Sequence, residues 1–326
     1  MSLIVDVHHH ILPDFFWKAT NADHVVGGIA PPPWSVADTL AFLDEAGIDV
    51  AMTSISTPGV HLGDDAAARA LARRCNELAA ELRRARPDRF GLFACLPLPD
   101  VDGALAELAH AFDVLSADGV VLFSNARGIY LGDRRFAPLF AELERRHAVV
   151  FVHPTASPDA AAHQLGLPDS LIDFTADTTR AVAQLHYGNT FARTPNVKYI
   201  FSHAGGTIPY LAARFSVVDE MDVIPGGGER GTAADTLRRL YWDTALSWRD
   251  PVLRMLRSVV GIDHVLFGSD FPYLRRDLAV RCVQELARSP ELNAAERDAV
   301  LGGNALTLFP RLAQLHARAQ SVAHAR

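Results

Sequence analysis

His8 and His10 end a short apolar run, Ile4-Val5-Asp6-Val7, with His9 between them. Alternate side chains of a strand share a face, so His8 and His10 point one way and His9 the other. Two imidazoles at that spacing, at the end of a buried strand, can hold one metal ion. Three more polar groups recur further along. His153-Pro154 closes the run Ala148-Val149-Val150-Phe151-Val152, His203 sits in Ser202-His203-Ala204-Gly205-Gly206, and Asp270 sits in Gly268-Ser269-Asp270-Phe271-Pro272. Singly, each has an ordinary explanation as a strand terminator, a glycine-flanked turn or a helix N-cap. Together, neutral imidazoles and a carboxylate suit a divalent cation such as zinc, with six-coordinate manganese as the alternative. Such an ion can bring the pKa of bound water to about 7, or polarise a carboxylate or phenolate oxygen. Hydrolysis and decarboxylation are the two chemistries that follow.

The elements that must position these residues alternate. Apolar runs at 4–10, 49–54, 90–96, 119–123, 148–154, 196–203, 240–246 and 263–270 are predicted strands. Helical spacing predicts helices at 35–47, 64–86, 102–116, 135–147, 173–193, 207–220, 250–260, 275–288 and 293–307. Ser35 is the expected N-cap of the first and Gly47 its stop. Strands four, five, six and eight are apolar on both faces, as in a parallel sheet covered on both sides. Right-handed crossovers then close the simplest packing, a (β/α)8 TIM barrel of the α/β class. An open doubly wound sheet is the rival, but no GxGxxG follows the first strand. In a barrel all four polar strand ends open on one face, where active sites are built.

The expected organisation is one barrel over 1–310, with an inserted loop at 11–35 and a loose C-terminal tail at 311–326. The insert, rich in Pro and aromatic residues and carrying Gly27-Gly28, is long for a tight turn and reads as a pocket wall. Gly226-Gly227-Gly228 reads as a flexible insert. At 326 residues and 49% hydrophobic, the chain can bury a large core. A net charge of −7 without a basic stripe argues against nucleic acid. No run reaches the roughly 18 apolar residues of a membrane span, and no secretory signal is visible. Three widely spaced cysteines, Cys75, Cys95 and Cys282, read as reduced thiols of a cytoplasmic protein.

The motifs Asp6-Val7-His8-His9-His10, Phe151-Val152-His153-Pro154, Phe201-Ser202-His203-Ala204-Gly205-Gly206 and Phe267-Gly268-Ser269-Asp270-Phe271-Pro272 resemble those of the amidohydrolase-related, metal-dependent decarboxylases. That group includes aminocarboxymuconate-semialdehyde, γ-resorcylate and 6-methylsalicylate decarboxylases. The similarity runs to Gly303-Asn304-Ala305. The stretches Ser56-Thr57-Pro58-Gly59-Val60-His61 and Leu96-Pro97-Leu98-Pro99-Asp100 look most like the 6-methylsalicylate decarboxylase branch.

The resemblance implies that His8, His10, His153 and Asp270 bind the metal and that His203 is the general acid/base, with Asp270 or His203 delivering a proton. Family members with Glu in place of the first His tend to hold manganese, so His8 favours zinc. Strand four lacks the lysine that hydrolytic relatives carboxylate, which implies a mononuclear site. The implied activity is non-oxidative decarboxylation of an aromatic hydroxy acid, by a protein that is usually dimeric. A hydrolase of the same fold, acting on a lactone or amide, is the alternative; a binding protein that has lost catalysis is the third reading. His61, Phe16, Trp17 and Phe123 are candidate substrate contacts. Arg127 is a candidate carboxylate partner, Asp243 a support for a metal-bound His, and Arg180 a contact to a second subunit.

Overall fold

The computed structural model describes residues 3–20, 30–159, 165–224 and 230–324. Gly27-Gly28 and Gly226-Gly227-Gly228 lie outside the described residues. Eight strands form one parallel sheet in chain order: β1 (Val5–His10), β2 (Val50–Ser54), β3 (Phe90–Cys95), β4 (Gly119–Phe123), β5 (Val149–His153), β6 (Lys198–Phe201), β7 (Tyr241–Asp243) and β8 (Val265–Leu266). The sheet curls until the chain after β8 meets β1: Val7 N–H donates to Phe267 O at 2.9 Å, and His9 bridges Phe271. This is a nearly closed (β/α)8 barrel. The principal helices are α1 (Asp14–Thr20), α2 (Val36–Ala46), α3 (Asp65–Ala85), α4 (Val101–Asp113), α5 (Ala137–Arg145), α6 (Asp173–Tyr187), α7 (Ile208–Met221), α8 (Asp250–Val259), α9 (Arg276–Leu286) and α10 (Pro310–His324).

Strand alternation sorts the core into two clusters. Val5, Val7, Met52, Leu92, Val121, Phe151, Ile200 and Leu266 fill the barrel interior. Ala51, Val120, Leu122, Val150, Val152, Phe201 and Phe267 face outward, against the helices. Each fully buried side chain of this size contributes about 1.5–3 kcal/mol. The expected caps are present: Ser35 Oγ accepts from Asp38 N–H at 3.0 Å, and Gly47 takes φ 70°.

β1 departs from simple alternation. Asp6 pairs with Ala51 but His9 pairs with Thr53, so three steps on β1 match two on β2. The extra residue is a β-bulge. It resets the phase, so that Val5 and Val7 before it, and His8 and His10 after it, all face the barrel axis. Asp6 and His9 face out together, with His9 Nδ1 3.0 Å from Asp6 Oδ2.

Two stretches differ from expectation. Residues 14–20 of the expected loop form α1, which turns Phe16 and Trp17 into the core. The expected tail is helical over Pro310–His324. Leu312 is buried beside Phe309, and Arg311 Nε donates to Asp118 Oδ1 at 2.8 Å. Apolar positions at helical spacing, Phe309, Leu312 and Leu315, seal the floor of the barrel. The expected strands over 240–246 and 263–270 are observed as Tyr241–Asp243 and Val265–Leu266, with Leu246 and Asp270 in the turns that follow, at φ 53° and 57°.

Candidate metal centre and active site

Four strand ends converge. His8 Nε2 lies 3.1 Å from His10 Nε2, and Asp270 Oδ1 lies 3.3 Å from each of them. With His153, one ligand atom from each of the four residues falls within 4.8 Å of the others. His203 stands beside this group, its Nε2 3.5 Å from Asp270 Oδ2. All five side chains are buried.

The far side of the His8, His10 and His153 rings is anchored, whereas His203 Nδ1 is buried with no hydrogen-bond partner. His8 Nδ1 faces Asp243 Oδ2 at 2.8 Å, and His153 Nδ1 faces Pro154 O at 2.7 Å. Both partners are acceptors, so each Nδ1 carries a proton. His10 Nδ1 faces Ser54 Oγ at 3.3 Å. Asp243 does more: its Oδ1 accepts from His203 N–H at 2.8 Å and from Ala245 N–H at 3.0 Å. Asp6, on the outer face of the bulge, accepts from Ser269 N–H at 2.9 Å and from Ser269 Oγ–H at 2.5 Å. That clamp sets the turn that presents Asp270.

The turn after β6 is equally constrained. His203, Ala204, Gly205 and Gly206 are consecutive residues with positive φ. A Cβ on Gly205 would lie 2.0 Å from the Trp242 ring, and one on Gly206 2.1 Å from Thr175 O. His203 and Asp270 pay a conformational cost of order 1–3 kcal/mol each, of the kind that collects at functional sites.

Electrostatics match a cation site. Burial presses His8 downward, but the carboxylates of Asp243 and Asp270 outweigh it and raise its pKa to about 10. Burial lowers His10, and burial with the neighbouring imidazoles holds His153 well below its ordinary value. For Asp270, burial works upward but is overcome by His8, His10 and His203, leaving the carboxyl well below the usual range. Asp270 Oδ1 is buried with no hydrogen-bond partner. An unpaired carboxylate oxygen facing two Nε2 atoms fits a divalent ion, whose bonds to such ligands are ~2.0–2.2 Å.

The pocket above this group holds about 150 Å³. Beside His153, His203 and Asp270 it is walled by Phe174, Leu246, Tyr273 and Leu274, with Ser56 and Thr57 at its edge. Of these wall residues, Tyr273 and Leu274 could have been found from their nearness to Asp270; Phe174, at the start of α6, gives no signal in the sequence.

The structure separates the expected substrate contacts from this pocket. Phe16 is fully buried and packs at a tilt against Trp17 with ring centroids 5.0 Å apart; both are core residues of α1, not wall residues. His61 Nδ1 accepts from Gly63 N–H at 3.2 Å and its Nε2 faces Asp65 at 2.8 Å, so loop hydrogen bonds occupy the ring. His61, Phe123 and Arg127 line a neighbouring recess. Arg180, half exposed, lies 3.7 Å from Asp177.

The fold and this group of three imidazoles and a carboxylate, which could hold a metal ion, define a class: (β/α)8 barrels whose sites are built at the C-terminal ends of their strands. The chain belongs to the amidohydrolase family, whose model matches residues 5–311. It is similar to a 6-methylsalicylic acid decarboxylase of Aspergillus aculeatus, at 38% identity over 96% of this chain and 98% of the relative. A crystal structure of an amidohydrolase II superposes with TM-score 0.86 at 28% identity, over 94% of this chain and 99% of the other. A 5-carboxyvanillate decarboxylase from Novosphingobium aromaticivorans, crystallised with manganese and 4-hydroxy-3-methoxy-5-nitrobenzoic acid, shares the fold at TM-score 0.82 and 22% identity, over 95% and 96% of the two chains.

Proposed function

We propose that this protein is a carboxy-lyase, a metal-dependent, non-oxidative decarboxylase of a salicylate-like aromatic acid, and that 6-methylsalicylate is the substrate to test first. The observation that carries the reading is the unpaired Asp270 Oδ1 among three imidazoles, under a pocket with an apolar wall wide enough for one ring. The name of the Aspergillus relative supplies the substrate class.

His8, His10, His153 and Asp270 would hold the ion. Three imidazoles favour zinc, and manganese is the alternative because the carboxyvanillate decarboxylase was crystallised with it. The ion, when bound, supplies Lewis acidity toward the oxygens of the substrate. Phe174, Leu246 and Tyr273 keep the ring flat and exclude water. Asp270, a carboxylate at rest, relays a proton from His203 to the ring carbon that bears the carboxylate. The carbon–carbon bond then breaks, its electron pair restores the aromatic ring, and CO₂ leaves. His203 Nε2 lies within reach of Asp270 Oδ2 for that transfer.

The three buried free cysteines accord with a cytoplasmic setting. Among the described residues no helix is long and apolar enough to cross a membrane. A homodimer would cover Tyr210, Val217 and Met221, which are exposed along one face of α7; light scattering reads that state.

The test is to load the protein with zinc or manganese and supply 6-methylsalicylate in deuterium oxide. CO₂ and 3-methylphenol with one deuterium at the vacated carbon are expected. Lactone opening without CO₂ release would replace this reading with the hydrolase. Full turnover in both His203→Ala and Asp270→Asn would overturn the proton route.

A further inference from the structure

A second recess, of about 420 Å³, opens on the same barrel face beside the metal pocket. Its walls are Val60, Leu62, Leu96, Leu98 and Phe123, supplied by the ends of β2, β3 and β4. Phe123 stands on the partition between the two spaces. It lines the recess, yet its ring meets the His153 ring edge-on with centroids 6.1 Å apart. It is held there by Gly59, where a Cβ would come within 3.0 Å of the ring and φ is +78°. The hydroxyls of Thr57 and Thr155, 2.8 Å apart, form the rest of the partition. Thr57 belongs to the inner pocket and Thr155 to the outer one.

One charge is left over in this recess. Arg127 occupies the two-residue turn between the short antiparallel strands Asn125–Ala126 and Ile129–Tyr130. Arg127 takes φ 53° and Gly128 φ 83°, the backbone of a type I′ turn, which costs a residue with a Cβ. The turn is secured at its root, where Asn125 Oδ1 accepts from Gly128 N–H at 2.9 Å and Asn125 Nδ2 donates to Asp177 at 2.9 Å. Among the described residues no carboxylate lies within ion-pair distance of Arg127. Its guanidinium lies over Gly63 at the rim. His61, on the same wall, is already satisfied. A recess with an apolar wall and an exposed guanidinium at its rim suits a carboxylate on a flat apolar body.

We propose that this recess is a second small-molecule site, which takes an aromatic monocarboxylate with its charge on Arg127 and its ring between Phe123 and Leu98, and that substrate pauses there before entering the metal pocket. The identity of the ligand rests on the decarboxylase reading; the existence of the site does not.

The probe is 4-fluorobenzoate, which lacks the ortho hydroxyl, followed by fluorine NMR on the zinc-loaded protein. Two binding events per chain are expected, and Arg127→Ala removes one of them. In turnover, Arg127→Ala raises KM about tenfold, as expected for one charge-assisted contact, and leaves kcat within about twofold. Arg127→Lys recovers part of that loss. Ala126→Phe, which fills the recess with Arg127 intact, also removes the outer event. A single binding event in the wild type, or two events retained in Arg127→Ala, overturns the proposal. If no hydroxybenzoate is turned over but Arg127→Ala still loses one of two events, the decarboxylase reading falls and the site stands. If turnover proceeds with KM unchanged in Arg127→Ala, the staging role falls.

Discussion

Asp177 and Asp270 are both buried carboxylates near the C-terminal face of the barrel, and their surroundings treat them oppositely. Asp177, on α6, accepts from Ser124 Oγ–H, from the Tyr130 hydroxyl and from Asn125 Nδ2 at 2.9 Å. Burial and Asp177 push the Tyr130 phenol up to about 12, so it remains a donor at ordinary pH. Asp270 has one oxygen without a hydrogen-bond partner and another 3.5 Å from His203. A buried carboxylate surrounded by donors is a joint, here tying the hairpin after β4 to α6. A buried carboxylate left open is costly unless something else completes it. The difference teaches how to tell scaffold from site when both are hidden from solvent.

The comparison breaks most sharply at Asp270. Asp270→Asn should lower kcat at least about 10³-fold, since it removes both a proposed metal ligand and the proposed proton carrier. Elemental analysis should show less bound metal. In Asp177→Ala the loss should fall on stability instead. Three buried donors lose their acceptor, which costs about 3 kcal/mol in denaturant titration. If Asp177→Ala abolished chemistry at unchanged stability, the distinction between joint and site would fail.

Asp243→Asn sharpens the same contrast, because Asp243 belongs to both categories. It holds His8 by one oxygen and the His203 backbone by the other. Metal affinity should fall about 10–100-fold, the usual penalty for losing the partner of a ligating histidine. The pH dependence of metal binding is the smallest effect per step. Metal-free His8 has its pKa raised to about 10, so below that pH one proton must leave before the ion can bind. Affinity should therefore fall about tenfold per unit of pH as the solution is acidified. Calorimetry in buffers of different ionisation enthalpy should count close to one proton released at neutral pH. The stability contribution of this proton has the matching sign: it is present below about pH 6.5, the unperturbed value, and disappears as pH rises toward about 10.

The barrel and its five central residues were legible because strand ends carry chemistry in a fixed pattern. His8, His10, His153, His203 and Asp270 each follow an apolar run, and parallel topology sends all such ends to one face. The pocket walls were less legible. Phe16 and Trp17 lie close behind His10 in sequence, but α1 turns them into the core, and no spacing rule foretells that rotation. Phe123 ends β4 and Arg127 follows it, yet they border a second space whose existence depends on where the Thr57–Thr155 contact closes. The final helix reads as a tail in sequence because Phe309, Leu312 and Leu315 have meaning only once the barrel floor exists to receive them.

The extra residue in β1 sets Val7 and His8 side by side on the inner face against the single residue Met52, while Asp6 and His9 keep step with Ala51 and Thr53 on the outside. Deleting Val7 would restore plain alternation and leave His8 and His10 on the axis, so a one-codon loss there should give a barrel whose histidine pair still faces inward. Straightening the strand with all its residues kept would instead turn His9 to the axis and His8 and His10 into the helical layer. The kink, and not the composition of the run, decides which imidazoles meet.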